Sequence, residues 1–287
     1  MMKPEIGIAI PAYKSVTRLK RCLESIERVN KCLLEATTVV DDSGDGSVAS
    51  VLASCYPQVN WIENQSNTGF ACAANTAVRE CASKWVLLLN DDVELVEDFS
   101  TYLLPMLDDN KLFAVAFRSI DEHGAFREGA KRLSWRFGIA KIFHNPSDQN
   151  WTGIGVAMTA YAVGGHAVFN REIFTQLNGF DAYFAPFYWE DVDLSIRAAN
   201  TGHRIIYLES CKVMHRQDGA IKSSSSSAQI RYYTWRSRIR FSLRHASGIH
   251  RILLPIGVSW HFLQSIVVGD LARTRAIASC LYSSSRG

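Results

Sequence analysis

Apolar residues along the chain gather into short β-branched runs that alternate with stretches of helical spacing. The run IGIAI (6–10) is closed by Pro11, and VTRLKRCLESIERV (16–29) then sets Leu19, Cys22, Leu23 and Ile26 on one helical face. The same unit follows again. EATTVVDDSGDGS (35–47) predicts a strand ending at Asp41, with a helix near 47–55 and a short strand in VNWIEN (59–64). NTGFACAANTAVRECA (67–82) reads as a glycine loop feeding a helix, and WVLLLN (85–90) as a central strand buried on both faces. Farther on, EDVDLSIRAAN predicts an amphipathic helix stopped by Gly202, and RIIYLESCKVMH a strand closed by His215. This alternation predicts an α/β fold with a mostly parallel central sheet flanked by helices, whose ligands bind beyond the carboxyl ends of the strands.

The chemistry sits at those strand ends. VLLLNDDVEL (86–95) runs from a core strand into Asn90, Asp91, Asp92 and Glu94. Asn and Asp are good turn formers, so a polar turn is one reading. The other is a cation site, because clustered carboxylates repel and hard Mg²⁺ or Mn²⁺ takes oxygen ligands. A second cluster, Glu190, Asp191 and Asp193, opens the later helix, where acids favour the macrodipole. Phe187, Tyr188 and Trp189 precede it and form an apolar, sugar-stacking wall that would raise a carboxyl pKa, as a general base requires. His215 closes its strand as Asn90 does, and its imidazole suits a metal.

Composition narrows the classes. The chain has 287 residues and is 47% apolar, which excludes a disordered protein and allows one large α/β core or two modest ones. Its net charge of +3 is unevenly spread: Gly219 to Gly269 holds seven Lys or Arg and no Asp or Glu. Seven cysteines form no CxxC pair, which predicts reduced thiols in a cytoplasmic setting and no structural zinc. The opening MMKPEIGIAIPAY has too short an apolar stretch for a secretory signal or a membrane span, so folding is expected from residue 5. IPAYKSV stands where a dinucleotide dehydrogenase needs G-x-G-x-x-G, and DDSGDGS lacks the closing Glu of an EF-hand. Acids in the crevice argue against a groove that tracks nucleic-acid phosphates.

With these motifs in order, the chain resembles a family-2 glycosyltransferase of the Rossmann-like GT-A fold, of the bacterial rhamnosyl- or galactofuranosyltransferase kind, over about residues 5–245. IPAY (10–13) resembles the first nucleotide-binding loop, VVDDSGDGS (39–47) the base-and-ribose loop, NTGFACAAN (67–75) the glycine loop and LLNDDVEL (88–95) the DXD-type metal site. GGHAVFNREIFTQLNGFD (164–181) resembles the donor and acceptor loop, and YWEDVDLSIRAANTGHRI (188–205) the segment with the catalytic acid. Asn90 stands where many members have the first Asp of DXD, so the metal role passes to Asp92 with His215. The resemblance implies an inverting, Mg²⁺- or Mn²⁺-dependent transferase using a dTDP- or UDP-sugar, with rhamnose among the candidate sugars, on a glycan or lipid-linked glycan of a surface polysaccharide. Asp191 is then the general base. Pro11, Ala12, Tyr13, Asp41, Asn67, Gly69, Asn90 and Asp91 bind the nucleotide donor, with the Asp41 carboxylate on the imide N–H of the base. Gly164, Gly165, His166, Trp189 and Glu190 meet the acceptor or sugar. A catalytically idle, sugar-nucleotide-binding scaffold is the alternative.

The implied division is a transferase domain over 1–222, with nucleotide binding in about 1–95 and acceptor binding and catalysis in about 96–222. A Ser-rich loop and a basic, apolar helical extension follow over 223–287. QDGAIKSSSSSAQ (217–229) reads equally as an inert linker or as a lid over the donor. In the tail, Arg231, Arg236, Arg238, Arg240, Arg244 and Arg251 accompany the apolar run ILLPIGVSWHFLQSIVV (252–268). A buried terminal helix and an interfacial helix on anionic lipid are both open, the second placing the protein at the inner face of the cell membrane.

Overall fold

The computed structural model describes residues 5–144, 155–216, 219 and 224–284. Its first half is β1 (Ile6–Ala12), α1 (Val16–Asn30), β2 (Thr37–Asp41), α2 (Ala49–Leu52), β3 (Asn60–Glu63), α3 (Phe70–Glu80) and β4 (Trp85–Leu89). There follow β5 (Val93–Leu95), α4 (Ser100–Leu103), β6 (Leu112–Ile120), β7 (Phe126–Glu128), β8 (Lys131–Arg136), β9 (Ile139–His144), β10 (Val156–Met158) and β11 (His166–Asn170). Next come α5 (Arg171–Gln176), α6 (Glu190–Asn200) and β12 (Arg204–His215), then α7 (Ser227–His245), α8 (Gly248–Val267) and α9 (Leu271–Ser284).

β3, β2, β1 and β4 pair in parallel, and β1 and β4 are buried along their whole length. Helices cover both faces, so these strands carry continuous apolar runs. Leu19, Cys22, Leu23 and Ile26 of α1 enter the core on one face, and Ala73, Ala74, Ala77 and Val78 of α3 enter it on the other. β11 then inserts antiparallel between β4 and β6, and β12 lies parallel to β6. Beyond β4 the sheet is therefore mixed.

Three registers gather the strand ends. Ala12 pairs with Asp41, so β1 and β2 end together. His166 pairs with Leu89, which sets Gly164 and Gly165, just before β11, beside the end of β4. The ladder continues through Asn90 N–H to the Gly165 carbonyl (2.9 Å). β5 folds back antiparallel onto the tip of β12 with His215 opposite Val93, carrying the imidazole next to Asp92.

The C-terminal helices join this body. Phe241 of α7 packs with Ala140, Phe184, Trp189 and Val192, and Ile139 packs with Ile239, Leu254, Val258 and Ile277. α8 runs close over the β8–β9 turn: a side chain on Gly257 would lie 2.1 Å from the Phe137 carbonyl, so the position excludes any Cβ. Asp193, fully buried, joins α6 to α7 by accepting from Arg197 Nε (2.8 Å) and Arg244 Nη1 (3.0 Å) and pairing with His245 Nε2 (2.7 Å). Burial alone would raise its carboxyl pKa, but the His245 bond and the arginines hold it below the usual value.

Removing this carboxylate takes from Arg197, Arg244 and His245 their shared buried partner. Because the two arginines are a quarter to a third exposed, Asp193→Ala is expected to cost less than the roughly 3–5 kcal/mol of a fully buried broken pair, about 2–3 kcal/mol at neutral pH, measured by urea denaturation. Because the folded-state pKa is lowered, the contribution is complete above the unfolded value, about 3.9, and disappears as pH falls through the folded value. The gap between wild type and variant should therefore narrow in acid.

Candidate active site

A cleft of about 1230 Å³ lies along the gathered strand ends, lined by Pro11, Ala12 and Tyr13, by Asn67 and Gly69, and by Asn90, Asp91 and Asp92. Its far wall holds Gly164, Gly165, Trp189, Glu190, Asp191 and His215. The three side chains expected to meet, Asp92, Asp191 and His215, border this one cleft. Asp92 Oδ2 stands 3.3 Å from His215 Nε2. The backbone of Gly219 lies against the same carboxylate, and a Cβ there would fall 2.3 Å from Oδ2.

Two expected residues are elsewhere. Asp41 is fully buried and does not border the cleft; its oxygens accept from the backbone N–H of Ser43 (3.0 Å), Val48 (3.0 Å) and Ala49 (2.8 Å). That carboxylate stitches the loop after β2 and has no face toward a base. Its neighbour Asp42 borders the cleft instead, taking N–H bonds from Thr68 (2.9 Å) and Gly69 (2.9 Å). His166 is also fully buried, behind the wall, with Nε2 3.6 Å from Glu128 Oε2 and its ring 5.9 Å from that of His215. Burial lowers its pKa to about 4, so it is neutral at physiological pH and does not reach a sugar.

Each carboxylate at the strand tips has a different environment. Asp91 receives Arg18 Nε on Oδ1 (3.2 Å) and Arg18 Nη2 on Oδ2 (3.3 Å), with the Tyr13 N–H at 3.4 Å. Burial nevertheless lifts its pKa to about 6, against the opposing pull of Arg18. Arg18 thus ties the β4 tip to α1, a role its place on a helical face did not reveal. Glu94 turns aside to Arg216 (2.6 Å). Asp92 faces the cleft with His215.

The acid pair opening α6 is presented by strained backbone. Tyr188 and Trp189 both have left-handed φ, +74° and +75°, which costs about 1–3 kcal/mol each unless packing enforces it. Trp189 packs on Phe241 with ring centroids 4.8 Å apart, Phe187 on Tyr233 at 5.3 Å, and Ser237 Oγ donates to the Phe184 carbonyl (3.3 Å). Arg236 and Arg240 donate to the carbonyls of Ala185 and Tyr183, and Arg244 to Asp181 (2.8 Å). Much of the basic character of α7 is thus directed to this loop. Trp189 is largely spent in packing, and Tyr188 is the more exposed ring at the wall.

Asp191 accepts from the Gly164 N–H (3.3 Å) and the Val192 N–H (2.8 Å). Burial raises the pKa of both Asp191 and Glu190, more for Glu190, whose Oε2 finds no hydrogen-bond partner among the described residues and which also feels the Asp191 charge. A coupled pair of this kind holds one proton between two carboxyls over a wide pH range, leaving one acid and one base. Asparagine at 90 fits Gly165 closely: a Cβ on that glycine would meet Asn90 Nδ2 at 2.4 Å. Glu128, on β7, borders the cleft 3.6 Å from the buried Lys131 amine. No pattern in the sequence marked it, because β7 is three residues long and intermediate in burial.

As a cation site, the arrangement offers one carboxylate and one imidazole. Among the described residues there is no group of three or more His, Cys, Asp or Glu side chains that would enclose a metal. Two protein ligands facing an open cleft suit a cation that completes its shell with water and diphosphate oxygens. Ser224, Ser225 and Gln229 also border the cleft, but residues 217, 218 and 220–223 of the Ser-rich segment lie outside the described residues, and the choice between lid and linker falls there.

Comparison with known proteins agrees with this architecture. Chondroitin synthase of Escherichia coli is 30% identical over 128 residues, 42% of this chain and 18% of its own length. A structure of GalNAc-T7 with UDP, GalNAc and Mn²⁺ superposes with a TM-score of 0.62 at 15% identity, covering 82% of this chain and 47% of that one. The mannosyltransferase PcManGT of Pyrobaculum calidifontis, in complex with GDP-Man and Mn²⁺, gives 0.59 at 17% identity over 100% of this chain and 76% of its own. S. aureus TarS 1-349 in complex with UDP gives 0.57 at 12% identity, over 90% of this chain and 72% of its own. The chain thus spans less than half the length of chondroitin synthase and of GalNAc-T7, and these likenesses establish the GT-A fold. With the family pattern matched over residues 7–177, more than half of its length, the chain belongs to glycosyl transferase family 2.

Proposed function

We propose that the protein is an inverting, metal-dependent glycosyltransferase that moves a sugar from a UDP- or dTDP-sugar, rhamnose among the candidates, to a glycan or lipid-linked glycan acceptor. Its setting is surface polysaccharide synthesis at the cytoplasmic face of a cell membrane. The observation that carries this reading is the meeting of Asp92, His215 and Asp191 in one cleft, from three distant parts of the chain. Two of the structural relatives named above hold UDP and a third holds GDP-Man, so the nucleobase is the part to be tested most openly.

In this reading the nucleoside lies against Pro11, Ala12 and Tyr13, with Asp42 taking the position first given to Asp41. Asp92 and His215 would hold Mg²⁺ or Mn²⁺, which would supply Lewis-acid neutralisation of the diphosphate charge. Asp191, fixed by the Gly164 and Val192 N–H groups, removes the proton of an acceptor hydroxyl attacking from the face opposite the diphosphate, so the configuration inverts. Glu190 keeps its proton at neutral pH and offers a hydrogen bond to the sugar or the acceptor, with Gly164 and Gly165 allowing close approach. Tyr188 supplies the exposed aromatic face.

Asp191→Asn should bind donor within about twofold of wild type by calorimetry, while transfer falls by about 100-fold or more. Normal turnover by this variant would assign the base elsewhere. The rate of the wild type should rise with pH along a limb that lies above the ordinary carboxylate range, since burial raises the Asp191 pKa and only the deprotonated form accepts the proton. A limb near the ordinary value, about 3.9, would contradict that role. Asp92→Ala and His215→Ala should each lose the Mn²⁺-dependent thermal stabilisation given by a UDP-, dTDP- or GDP-sugar panel, as should EDTA treatment of the wild type. Losing several kcal/mol of leaving-group stabilisation implies a fall in transfer of about 100-fold.

A further inference from the structure

The outward side of α8 is apolar for the whole helix. Ile249, Ile252, Ile256, Trp260, Leu263 and Val267 recur at intervals of three and four and are 59–85% exposed. At 1.5 Å per residue the strip is about 30 Å long. The opposite side, through Leu254, Gly257 and Val258, is pressed onto the β8–β9 turn, so α8 has no freedom to roll its apolar strip inward. Single exposed apolar residues need no explanation, but a continuous strip marks an interaction surface.

Charge identifies the partner. Arg275 is exposed on α9, Arg251 of α8 turns away from the strip to donate to the Leu243 carbonyl (2.6 Å), and Asp270 is the single Asp or Glu in residues 219–287. That carboxylate is engaged by Arg231 Nε (2.7 Å). The segment that carries the strip is thus basic, with its one acidic side chain already paired. No described helix is long and apolar enough to cross a membrane, which leaves a helix lying in the plane of an interface. We infer that α8 docks the protein on the surface of an anionic lipid bilayer, with the apolar strip entering the headgroup boundary and the exposed Arg275 of α9 meeting lipid phosphates. This deepens the proposed function and rests on it for the acceptor: β9, held down by α8, carries Lys141 and Ile142 into the cleft wall, so a lipid-linked acceptor would be delivered from the docked side.

Flotation of the full chain with vesicles tests the inference without donor or acceptor. Wild type should bind phosphatidylglycerol-containing vesicles, bind phosphatidylcholine vesicles at least about tenfold more weakly, and release as salt rises. The combined variant Ile252→Ser, Trp260→Ser and Leu263→Ser should lose at least about tenfold in vesicle partitioning. Its metal-dependent hydrolysis of donor in solution should stay within about twofold, since these side chains lie outside the cleft. If that variant proves unfolded by circular dichroism, the charge reversal Arg275→Glu should weaken binding to the anionic vesicles by at least about fivefold with donor hydrolysis unchanged. Failure of wild type to bind anionic vesicles would overturn the proposal. So would a wild-type dimer in light scattering that the apolar variant converts to monomer, because the strip would then be a contact between copies. Loss of donor hydrolysis in wild type would count against the proposed function alone.

Discussion

The site depends on a short piece of antiparallel pairing. β5, three residues long, folds back on the end of β12, and its register fixes His215 opposite Val93 and therefore beside Asp92. A slip of one residue would turn every side chain of β5 to the other face and separate the carboxylate from the imidazole. Several anchors oppose that slip. Val93 and Leu95 are fully buried, the Leu95 N–H donates to Ser25 Oγ (2.9 Å), and Arg28 donates to the Leu95 carbonyl (3.0 Å). Helix α1 thus holds from behind the strand whose turn presents Asp92, the proposed metal ligand. Arg18, one helical face earlier, does the same for Asp91.

Asp91, Asp92 and Glu94 would repel one another if all were equally free. Arg18 takes Asp91, Arg216 and Arg21 take Glu94, and Asp92 is left at the cleft beside His215. The remaining negative field is felt by the buried Cys22 beneath them, whose thiol is pushed well above its usual pKa by burial and then by these three charges. The acids of α6 show the same division: Asp193 is fully ion-paired inside the protein, whereas Asp191 and Glu190 are buried with few compensating partners. Carboxylates two residues apart on one helix are thereby given opposite environments by what faces them.

Much of this was legible in the sequence. The parallel half of the sheet declares itself because strands buried on both faces must be uniformly apolar, as WVLLL is, and of the residues singled out by motif order, Pro11–Tyr13, Asn67, Asn90–Asp92, Gly164–Gly165, Glu190–Asp191 and His215 line one cleft. What failed was side-chain direction. In VVDDSG the sequence contains two adjacent acids, and a strand sends neighbours to opposite sides, so the choice of Asp41 over Asp42 could only be settled by seeing which one caps the following loop. His166 was lost in the same way, since HAVFN points its first side chain behind the cleft wall. The stretch from β6 to β10 was opaque because its strands are short, mixed in direction and partly exposed, with no single period to detect.

The tail shows how the C-terminal segment supports the proposed site. Its arginines and aromatics left a buried helix and an interfacial one both open in the sequence. In the fold, Arg236, Arg240 and Arg244 reach the carbonyls and carboxylate of the loop over 181–189, while Tyr233 and Phe241 pack beneath it. That loop ends in two consecutive left-handed aromatic residues, a conformation that relaxes unless its surroundings enforce it. The aim of Asp191 is therefore not a property of α6 alone. It follows from α7 gripping the preceding loop on one side and the Gly164 N–H meeting the carboxylate on the other. The same α7 packs against α9 and, with α8, closes over the β8–β9 hairpin, so the helices that bear the exposed apolar strip also hold the loop that presents the acid pair.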